Sequence, residues 1–465
     1  MFRNASLVFF IFCGGNVLAQ YGAPDGEWHT WGGDHGFTRY SALDQISSLN
    51  VSDLEVVWRW RALPLGNRQD SNLKATPIMV DGVLYVPSGQ HQVVALNPAT
   101  GEQIWRYDPD PASVAERGLG LGSRSLAFWR DGDEMRIFHN TLDGRLLSID
   151  ARTGLADSGF GDSGTVLLRN GLYPDGSDAD SVGSSSPAAV VGDVVVVQVV
   201  GTITAPGTEA TPGHIRAYDV RTGELVWRFN TIPQPGETGH ETWVGDSWRY
   251  TGNTGVWSMM SVDTDTGYIY LPVEAGSNDF YGGHRHGDNL FSQSLVCLDG
   301  RTGELIWFYQ LTHHGLWDYD PPSAPILGDI AVNGRVVKTV TQLTKQGMSF
   351  VFDRITGEPV WPIEERPVPQ SEVPGEQSSP TQPFPSLPPP YLSQGYHEED
   401  LLDFTPELRA EALAIAAQYV TGPMYTPPTP VREGGTQGTW VNPGYQGGAN
   451  WNGAAPDQHI SIGTK

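Results

Sequence analysis

The chain has 465 residues, and its 28 Lys and Arg residues against 53 Asp and Glu residues give a formal net charge of −25. Such an acidic chain is a poor partner for nucleic acids and other polyanions. With 56 glycines, 35 prolines and 10% aromatic residues, the composition is that of a turn-rich globular protein. It argues against a helical bundle and against a disordered chain.

The first residues have the pattern of a secretory signal peptide. Arg3 precedes an apolar run, and Val17 and Ala19 occupy the small-residue positions before a cleavage site. The sequence therefore predicts a signal peptide over 1–19 and a periplasmic or otherwise exported mature chain over 20–465. The apolar run is shorter than the roughly 20 residues that a spanning helix needs. Peripheral association with a membrane is left open as the alternative.

The cysteine and histidine spacings exclude several chemistries. Cys13 lies in the leader, so Cys297 stands alone in the mature chain, and we expect it to be a small apolar residue buried in a strand. One cysteine forms no intramolecular disulfide, CxxC metal site or CxxCH haem attachment. The twelve histidines show no HExxH spacing, and no glycine-rich loop joins a strand to a helix. A zinc hydrolase and a nucleotide site are therefore disfavoured.

One motif recurs along the chain: an apolar strand ending in Asp or Asn, then Thr-Gly-Glu, two further residues and Trp. Clear copies end in Trp105, Trp227, Trp307 and Trp361, and three weaker copies accompany them. The Asp or Asn positions of all the copies are 50, 97, 150, 219, 263, 299 and 353. This spacing is typical of β-propeller blades, which repeat at ~40–45 residues.

Each copy predicts a β-hairpin whose Thr-Gly turn uses the positive φ that glycine tolerates. The following strand carries Trp to the interface with the next blade, because a single blade cannot bury both of its faces. The sequence therefore predicts an all-β, eight-bladed-type β-propeller over 20–465. At ~40–45 residues per blade, closure would leave the last blade incomplete.

One insertion interrupts the repeats, and we place it at 363–425. Residues 363–392 are rich in Pro, Ser and Gln and predict a long loop or a linker. After it, Pro406 to Tyr419 predicts a single amphipathic helix with Thr405 as its N-cap.

The segment from His313 to Pro321 is the densest cluster of chemically useful side chains. It contains two imidazoles, two carboxylates and two aromatic rings. Asp318 and Asp320 are spaced so that one could bind a metal and the other a substrate hydroxyl. A plain turn rich in Asp is the structural alternative. Weaker local signals, for which core or turn roles also stay open, occur around Arg124, Glu209, Trp257 and Asn278.

Taken with the repeats, these motifs resemble those of the quinoprotein dehydrogenases that use pyrroloquinoline quinone (PQQ), most closely the glucose dehydrogenase-like branch. The resemblance rests on the Thr-Gly-Glu-x-x-Trp repeats, the Trp-Asp-Tyr-Asp loop at 317–320 and the Thr-Lys-Gln-Gly loop at 344–347. It runs from about Trp28 to the last residues.

The resemblance implies roles at the cofactor. Asp318 corresponds to the general base for the substrate hydroxyl, and Lys345 to the cation beside the quinone oxygens. Trp257 corresponds to the indole that stacks on the cofactor, and Arg124 to the arginine that pairs with a PQQ carboxylate. The remaining two cofactor-binding positions are Ser186 and Trp451.

The same resemblance implies a hard cation, Ca²⁺ or a lanthanide, with oxygen ligands. Asn278 matches its amide ligand and Glu209 matches, less securely, its carboxylate ligand. Asp318 and Asp320 complete the expected metal-binding set. Asp320 does not identify the metal, because the position is Asp in lanthanide-using and in glucose-type members.

Two departures from the family refine the expected activity. The adjacent cysteine pair of alcohol-oxidising members is absent, which favours oxidation of a sugar or polyol hydroxyl to a carbonyl or lactone. The sequence holds no haem-attachment motif, so electrons are expected to pass to a separate quinone or cytochrome. A PQQ-dependent alcohol dehydrogenase and a propeller scaffold without cofactor remain the alternatives.

Overall fold

The computed structural model describes residues 22–23, 26–62, 73–109, 122–180, 182–199 and 208–456. The predicted signal peptide, 1–19, lies outside the described residues. Within them, no helix has both the length and the apolar character that crossing a membrane requires.

Antiparallel sheets follow one another in chain order through the described residues. The first contains β1 (Ile78–Val80), β2 (Val83–Pro87), β3 (Val93–Leu96) and β4 (Gln103–Tyr107). The second contains β5 (Ala127–Asp131), β6 (Glu134–Asn140), β7 (Arg145–Asp150) and β8 (Thr165–Leu167). The third contains β9 (Ala189–Val191), β10 (Val194–Val197), β11 (Ile215–Asp219) and β12 (Leu225–Phe229).

The fourth sheet has the same four-stranded form, and the next two are smaller. The fourth contains β13 (Ser261–Asp263), β14 (Tyr268–Val273), β15 (Ser294–Asp299) and β16 (Leu305–Gln310). The fifth contains β17 (Ile326–Val332), β18 (Arg335–Leu343) and β19 (Ser349–Asp353). A separate hairpin pairs β20 (Ile363–Pro367) with β21 (Thr381–Pro385). Among the described residues, the α-helices are α1 (Ser247–Tyr250) and α2 (Pro406–Ala416), and short 3₁₀ turns occupy Val51–Asp53, His240–Thr242 and Glu398–Asp400.

The recurring motif forms the predicted hairpin. At the end of β11, Asp219 Oδ1 accepts hydrogen bonds from the backbone N–H groups of Arg221 (2.9 Å) and Thr222 (2.8 Å). Gly223 follows with a φ of +73°, and the chain returns as β12. Side-chain oxygens make the same pair of bonds at Asn97, Asp150, Asp299 and Asp353.

Trp105, Trp227 and Trp307 lie between neighbouring sheets, as predicted. Trp361 is buried, but its Nε1 has no hydrogen-bond partner within the described residues. Trp227 Nε1 donates to the Gly300 carbonyl oxygen at 3.0 Å. Its indole packs so closely on Gly303 that a Cβ built there would lie 2.7 Å from Trp227 Cδ2. The same contact joins Trp58 to Gly101, Trp105 to Gly154 and Trp307 to Gly357.

Apolar clusters fill the spaces between consecutive sheets. One cluster combines side chains of the first and second sheets, a second those of the second and third, and two more continue this pairing to the fifth. The first strands also meet, because β9 contacts β5 and β13, and β13 contacts β17. Sheets that stack face to face around converging first strands form a β-propeller, so the predicted fold class is confirmed. The number of blades stays a prediction.

One repeat assignment was wrong. Asp263 ends β13 and Asp299 ends β15, and β14 pairs with both strands. The copies at 263 and 299 therefore belong to one sheet rather than to two blades. Both hairpins use an Asp-to-Thr-Gly turn, so the local pattern does not distinguish the first hairpin of a sheet from its last.

The insertion at 363–425 differs from the prediction in two ways: its first part contains a β-hairpin, and its helix is less amphipathic than expected. Residues 363–392, expected to be a loop or linker, contain the β20–β21 hairpin. Helix α2 begins as predicted, with Thr405 Oγ1 accepting a hydrogen bond from the Leu408 N–H at 3.2 Å. However, Leu408 and Ile415 are 40% and 45% exposed, so the helix does not bury a continuous apolar face.

The segment before the first sheet lies where the first strands converge. The Val262 N–H in β13 donates to the His35 carbonyl oxygen at 2.9 Å, and the Leu327 N–H in β17 donates to Gly36 at 2.9 Å. Trp28 pairs with Met79 in β1. This axial segment, residues 28–39, therefore connects the first strands of three sheets.

Candidate active site

Two carboxylates meet around the amino group of Lys345, which lies in the loop between β18 and β19 and is 5% exposed. Lys345 Nζ donates to Asp318 Oδ1 at 3.0 Å and to Asp320 Oδ2 at 3.1 Å. It also donates to the backbone oxygen of Asp318 at 2.6 Å. Because both aspartates belong to the loop between β16 and β17, the fold brings the two most specific sequence motifs together.

The Trp257 indole borders this charged group. Its Nε1 donates to Asp320 Oδ2 at 3.2 Å, and Lys345 Nζ lies 5.9 Å from its ring centroid. The indole is half-buried, so it is a partly open aromatic surface beside two carboxylates and a cation.

Arg124 extends the positive charge along the indole. Its Nη1 donates to Ser185 Oγ (2.5 Å), Ser186 Oγ (2.8 Å) and the Trp257 carbonyl oxygen (3.2 Å). Ser186 Oγ also donates to that carbonyl at 2.7 Å. The guanidinium carbon lies 5.5 Å from the Trp257 ring centroid and 5.3 Å from that of Trp451. The structure thus brings every predicted cofactor-binding residue into one connected cluster.

Burial and neighbouring charges shift the pKa values of the two aspartates in opposite directions. Burial, reinforced by the neighbouring Asp320 carboxylate, raises the pKa of Asp318 to about 9. Burial acts in the same direction on Asp320, but Lys345 and hydrogen bonds outweigh it and lower the pKa of Asp320. One of these bonds comes from the Ala275 N–H, 2.7 Å from Asp320 Oδ1. Asp320 is therefore the ionised partner of Lys345, and Asp318 is the carboxylate more ready to hold a proton.

The predicted metal ligands are not all brought together. Glu209 is exposed, and no hydrogen bond or ion pair within the described residues joins it to Asp318 or Asp320. Asn278 is half-buried, and its backbone oxygen accepts a hydrogen bond from Arg285 at 3.0 Å. In the described part of the chain, no group of three or more His, Cys, Asp or Glu side chains is arranged to hold a metal ion. The metal-binding roles stay predictions.

Glu274 is an acidic neighbour of the site that sequence reasoning missed. It is buried directly after β14, and its Oε1 accepts a hydrogen bond from the Gly255 N–H at 3.2 Å. Burial and repulsion from Asp320 raise the pKa of Glu274 well above its ordinary value. Burial and the same repulsion raise the pKa of Asp279 to about 6. The signal available in the sequence was a glutamate that directly follows an apolar strand.

The chemistry of the cluster fits a flat, anionic cofactor. The Nε of Arg124 is buried without a hydrogen-bond partner among the described residues, so the guanidinium keeps a donor for an anionic group. Lys345 adds a second cation beside the indole of Trp257. An aromatic surface flanked by two cations suits a planar carboxylate-bearing molecule.

A β-propeller with this cluster belongs to the class of quinone-dependent dehydrogenases. The family model described as "PQQ: Glucose/ethanol/alcohol dehydrogenase, beta-propeller domain" matches residues 28–463, and the chain belongs to this family. The family assignment made from the repeats and the two loops is thereby confirmed.

Individual relatives act on different substrates. The chain is 31% identical to quinoprotein glucose dehydrogenase A of Acinetobacter calcoaceticus, with 95% of the chain and 57% of that relative aligned. It is 32% identical to the glycerol dehydrogenase large subunit of Gluconobacter oxydans, with 94% of the chain and 59% of the relative aligned. The chain therefore spans less than two thirds of the length of these relatives.

The solved structures agree with the family assignment. A quinohemoprotein alcohol dehydrogenase from Pseudomonas putida superposes with a TM-score of 0.65 at 28% identity, over 92% of this chain and 54% of that one. A europium-containing methanol dehydrogenase superposes with a TM-score of 0.58 at 26% identity, over 73% of this chain and 59% of that one.

Proposed function

We propose that this chain forms the catalytic propeller of a PQQ-dependent dehydrogenase that oxidises a hydroxyl group of a sugar or polyol to a carbonyl or lactone. The observation that carries the proposal is the position of Lys345. Its Nζ lies 3.0 Å from Asp318 Oδ1 and 3.1 Å from Asp320 Oδ2, and 5.9 Å from the Trp257 ring centroid. A propeller scaffold needs none of these buried charges for its stability, because unpaired or partly paired buried charges are costly.

The residues of the chain divide the work between binding and proton transfer. PQQ, when bound, supplies the two-electron acceptor that protein side chains lack. Trp257 provides the stacking surface, and Arg124 and Lys345 provide positive charge for the anionic groups of the cofactor. Asp318 accepts the proton of the substrate hydroxyl in its ionised form, and Lys345 holds that carboxylate in place through Oδ1. Because the pKa of Asp318 is raised to about 9, the group must first lose its own proton before it can act. Asp320, fixed by Trp257 and the Ala275 N–H, keeps Lys345 oriented.

The substrate class is inferred from two observations. Relatives named glucose dehydrogenase and glycerol dehydrogenase align over more than nine tenths of the chain. Cys297 is buried in β15, and the chain has no adjacent cysteine pair. Simple alcohols are the second candidate, because a quinohemoprotein alcohol dehydrogenase superposes over 92% of the chain. A separate quinone or a cytochrome is the proposed electron acceptor.

The first experiment measures cofactor binding and turnover separately. The purified full chain is titrated with PQQ in the presence of Ca²⁺ or a lanthanide, and binding is followed by the quenching of tryptophan fluorescence. Reduction of an artificial dye is then measured across aldoses, polyols and short alcohols. We expect saturable quenching, and turnover that is fastest with an aldose or a polyol. Saturable binding of PQQ with no dye reduction by any aldose, polyol or short alcohol would contradict the proposal.

The Asp318→Asn variant tests the proton acceptor. We expect turnover to fall by at least about 100-fold, because a positioned base contributes on that order, while PQQ still quenches the fluorescence. The matched control is Asp265→Asn, which removes the same charge from an exposed position paired with Lys338 at 3.4 Å. Retained turnover in Asp318→Asn would exclude Asp318 from the reaction.

We also propose that the chain is exported, with cleavage after Ala19. The support is the pattern of a basic residue, an apolar run and small residues in 1–19. Sequencing the N-terminus of the protein from the cell envelope tests this. A protein that keeps its leader and stays in the cytoplasm would contradict it.

A further inference from the structure

Arg39, in the axial segment, has a buried guanidinium group without a hydrogen-bond partner. Its Nε, Nη1 and Nη2 are all inaccessible to solvent, and none is hydrogen-bonded within the described residues. The guanidinium carbon lies 4.7 Å from the ring centroid of Trp31. A cation–π contact recovers only part of what the cation loses on leaving water. The described structure therefore leaves this cation short of an acceptor.

The nearest carboxylate in the sequence does not supply that acceptor. Asp34 accepts a hydrogen bond from the Thr38 N–H at 3.0 Å and a second bond from the Thr38 hydroxyl group. No ion pair joins it to Arg39 among the described residues. Asp34 serves to hold the turn that leads into Arg39.

The groups around Arg39 are also donors without acceptors. Ser323 Oγ and Trp31 Nε1 are buried, and neither has a hydrogen-bond partner in the described structure. A Cβ built at Gly453 would lie 3.1 Å from Arg39 Nη2 and 3.3 Å from Ser323 Oγ. The guanidinium and the hydroxyl therefore lie against the same glycine and close to each other. A ligand rich in acceptors satisfies both, and a carboxylate matches a guanidinium with two parallel hydrogen bonds.

This position adjoins the candidate active site. Ser323 follows Asp320 by three residues, and Gly453 follows Trp451 by two. The Trp451 ring meets the Trp31 ring edge-on with centroids 5.7 Å apart, and it also contacts Arg124. The two guanidinium groups are thus linked through two adjoining indoles.

The backbone holds Arg39 in an unusual conformation. Phe37 and Arg39 have φ angles of +58° and +54°, which side-chain-bearing residues seldom adopt. The Arg39 N–H donates to the Gly32 carbonyl oxygen at 2.9 Å, which fixes the residue. Backbone strain of this kind persists where the surrounding structure enforces it, often at binding sites.

We propose that Arg39 and Ser323 form a second carboxylate-binding position at the edge of the candidate active site. The inference rests on the proposed function. The carboxylate comes either from PQQ, which carries three, or from a hydroxy-acid substrate. Both sources offer Arg39 the same two oxygens, and the experiment separates them.

The test compares Arg39→Gln and Ser323→Ala with the wild type. The control Arg249→Gln removes the same charge from a 63% exposed side chain that lies 4.3 Å over the Trp248 ring. Three quantities are measured: the Kd for PQQ from fluorescence quenching, and the KM values for quinate, an anionic hydroxy acid, and for glycerol, which is neutral. Circular dichroism checks that each variant is folded.

If the carboxylate belongs to PQQ, Arg39→Gln raises the Kd for PQQ by about 10- to 100-fold, as expected for a lost charge-assisted pair. If it belongs to the substrate, the Kd for PQQ is unchanged, and the KM for quinate rises by a similar factor while that for glycerol does not. Ser323→Ala shifts the same quantity by a smaller factor. The control Arg249→Gln changes neither the Kd for PQQ nor the KM values for quinate and glycerol.

Unchanged Kd and KM values in a folded Arg39→Gln variant, or equal changes in the control, would overturn the inference. If Arg39→Gln does not fold, Ser323→Ala decides: no effect on either ligand rejects the position. A wild type that binds no PQQ would instead contradict the proposed function. In that case, thermal unfolding of the wild type and of Ser323→Ala with quinate tests the position alone, and equal stabilisation of both rejects it.

Discussion

Replacing Gly303 by alanine tests whether the contact between tryptophan and glycine holds neighbouring sheets together. Gly303 has a φ of +76°, and a Cβ there would lie 2.7 Å from Trp227 Cδ2. Gly334, in the turn between β17 and β18, has the same φ of +76°, but a Cβ there would meet nothing within 4 Å. The backbone cost of a left-handed alanine, about 1–2 kcal/mol, is therefore common to both variants.

Only Gly303→Ala must also displace the indole. Trp227 is 8% exposed and hydrogen-bonded to the Gly300 carbonyl oxygen at 3.0 Å, so it cannot move without loss. Overpacking adds about 1–3 kcal/mol. We therefore expect Gly303→Ala to lower the free energy of unfolding by about 2–5 kcal/mol, and Gly334→Ala by about 1–2 kcal/mol.

Urea unfolding followed by far-ultraviolet circular dichroism measures both costs. The Trp227→Ala background provides the internal control, because removing the indole should reduce the cost of Gly303→Ala to that of Gly334→Ala. Equal costs of Gly303→Ala and Gly334→Ala in the wild-type background would refute the reasoning. The close contact would then not stabilise the interface between the sheets.

Buried groups give two further predictions. Burial lowers the pKa of His214 to about 3, whereas an unfolded histidine titrates near ~6.5. As the pH falls, the unfolded state therefore takes up the proton first, and stability present above pH ~6.5 is lost by about 1.4 kcal/mol per pH unit down to the folded pKa. In urea unfolding at several pH values, His214→Asn should lessen this dependence by one proton, and an unchanged slope would contradict the burial argument. Cys297 is fully buried and its pKa is raised by burial, so mass spectrometry should find it unmodified by a thiol reagent until urea unfolds the protein; rapid modification of the native protein would argue against this position.

The sequence predicted the hairpins and the sheet interfaces because both depend on local chemistry. An Asp or Asn side chain binding the next N–H groups, a glycine with positive φ and a tryptophan four residues later recur at fixed spacing. The assignment of Asp263 failed because that turn chemistry also closes the β13–β14 hairpin. The β20–β21 hairpin was missed because prolines such as Pro383 disfavour a strand in isolation, and because a long connection, rather than a tight turn, joins its two strands.

For the candidate site, the sequence indicated the residues but not their neighbours. Asp318, Lys345 and Trp257 stand in specific motifs, and their meeting follows from the arrangement of the sheets. Glu274 and Arg39 belong to no such motif. The raised pKa of Glu274 and the missing hydrogen-bond partner of the Arg39 guanidinium among the described residues arise from burial and from the surrounding side chains. No local sequence pattern records either of them.

The pairing of Trp227 with Gly303 has a consequence for how the ring is assembled. The joints at Trp105, Trp227 and Trp307 each combine the tryptophan of one motif copy with the glycine of a later one, whereas Gly223 packs on Gly161 and Val166. At these three joints the unit repeated in the sequence is therefore offset from the joint between sheets. During synthesis on the ribosome, the indole of such a tryptophan cannot be covered until the glycine turn of the later copy has been made. A joint of this kind is therefore complete only when both motif copies have been synthesised.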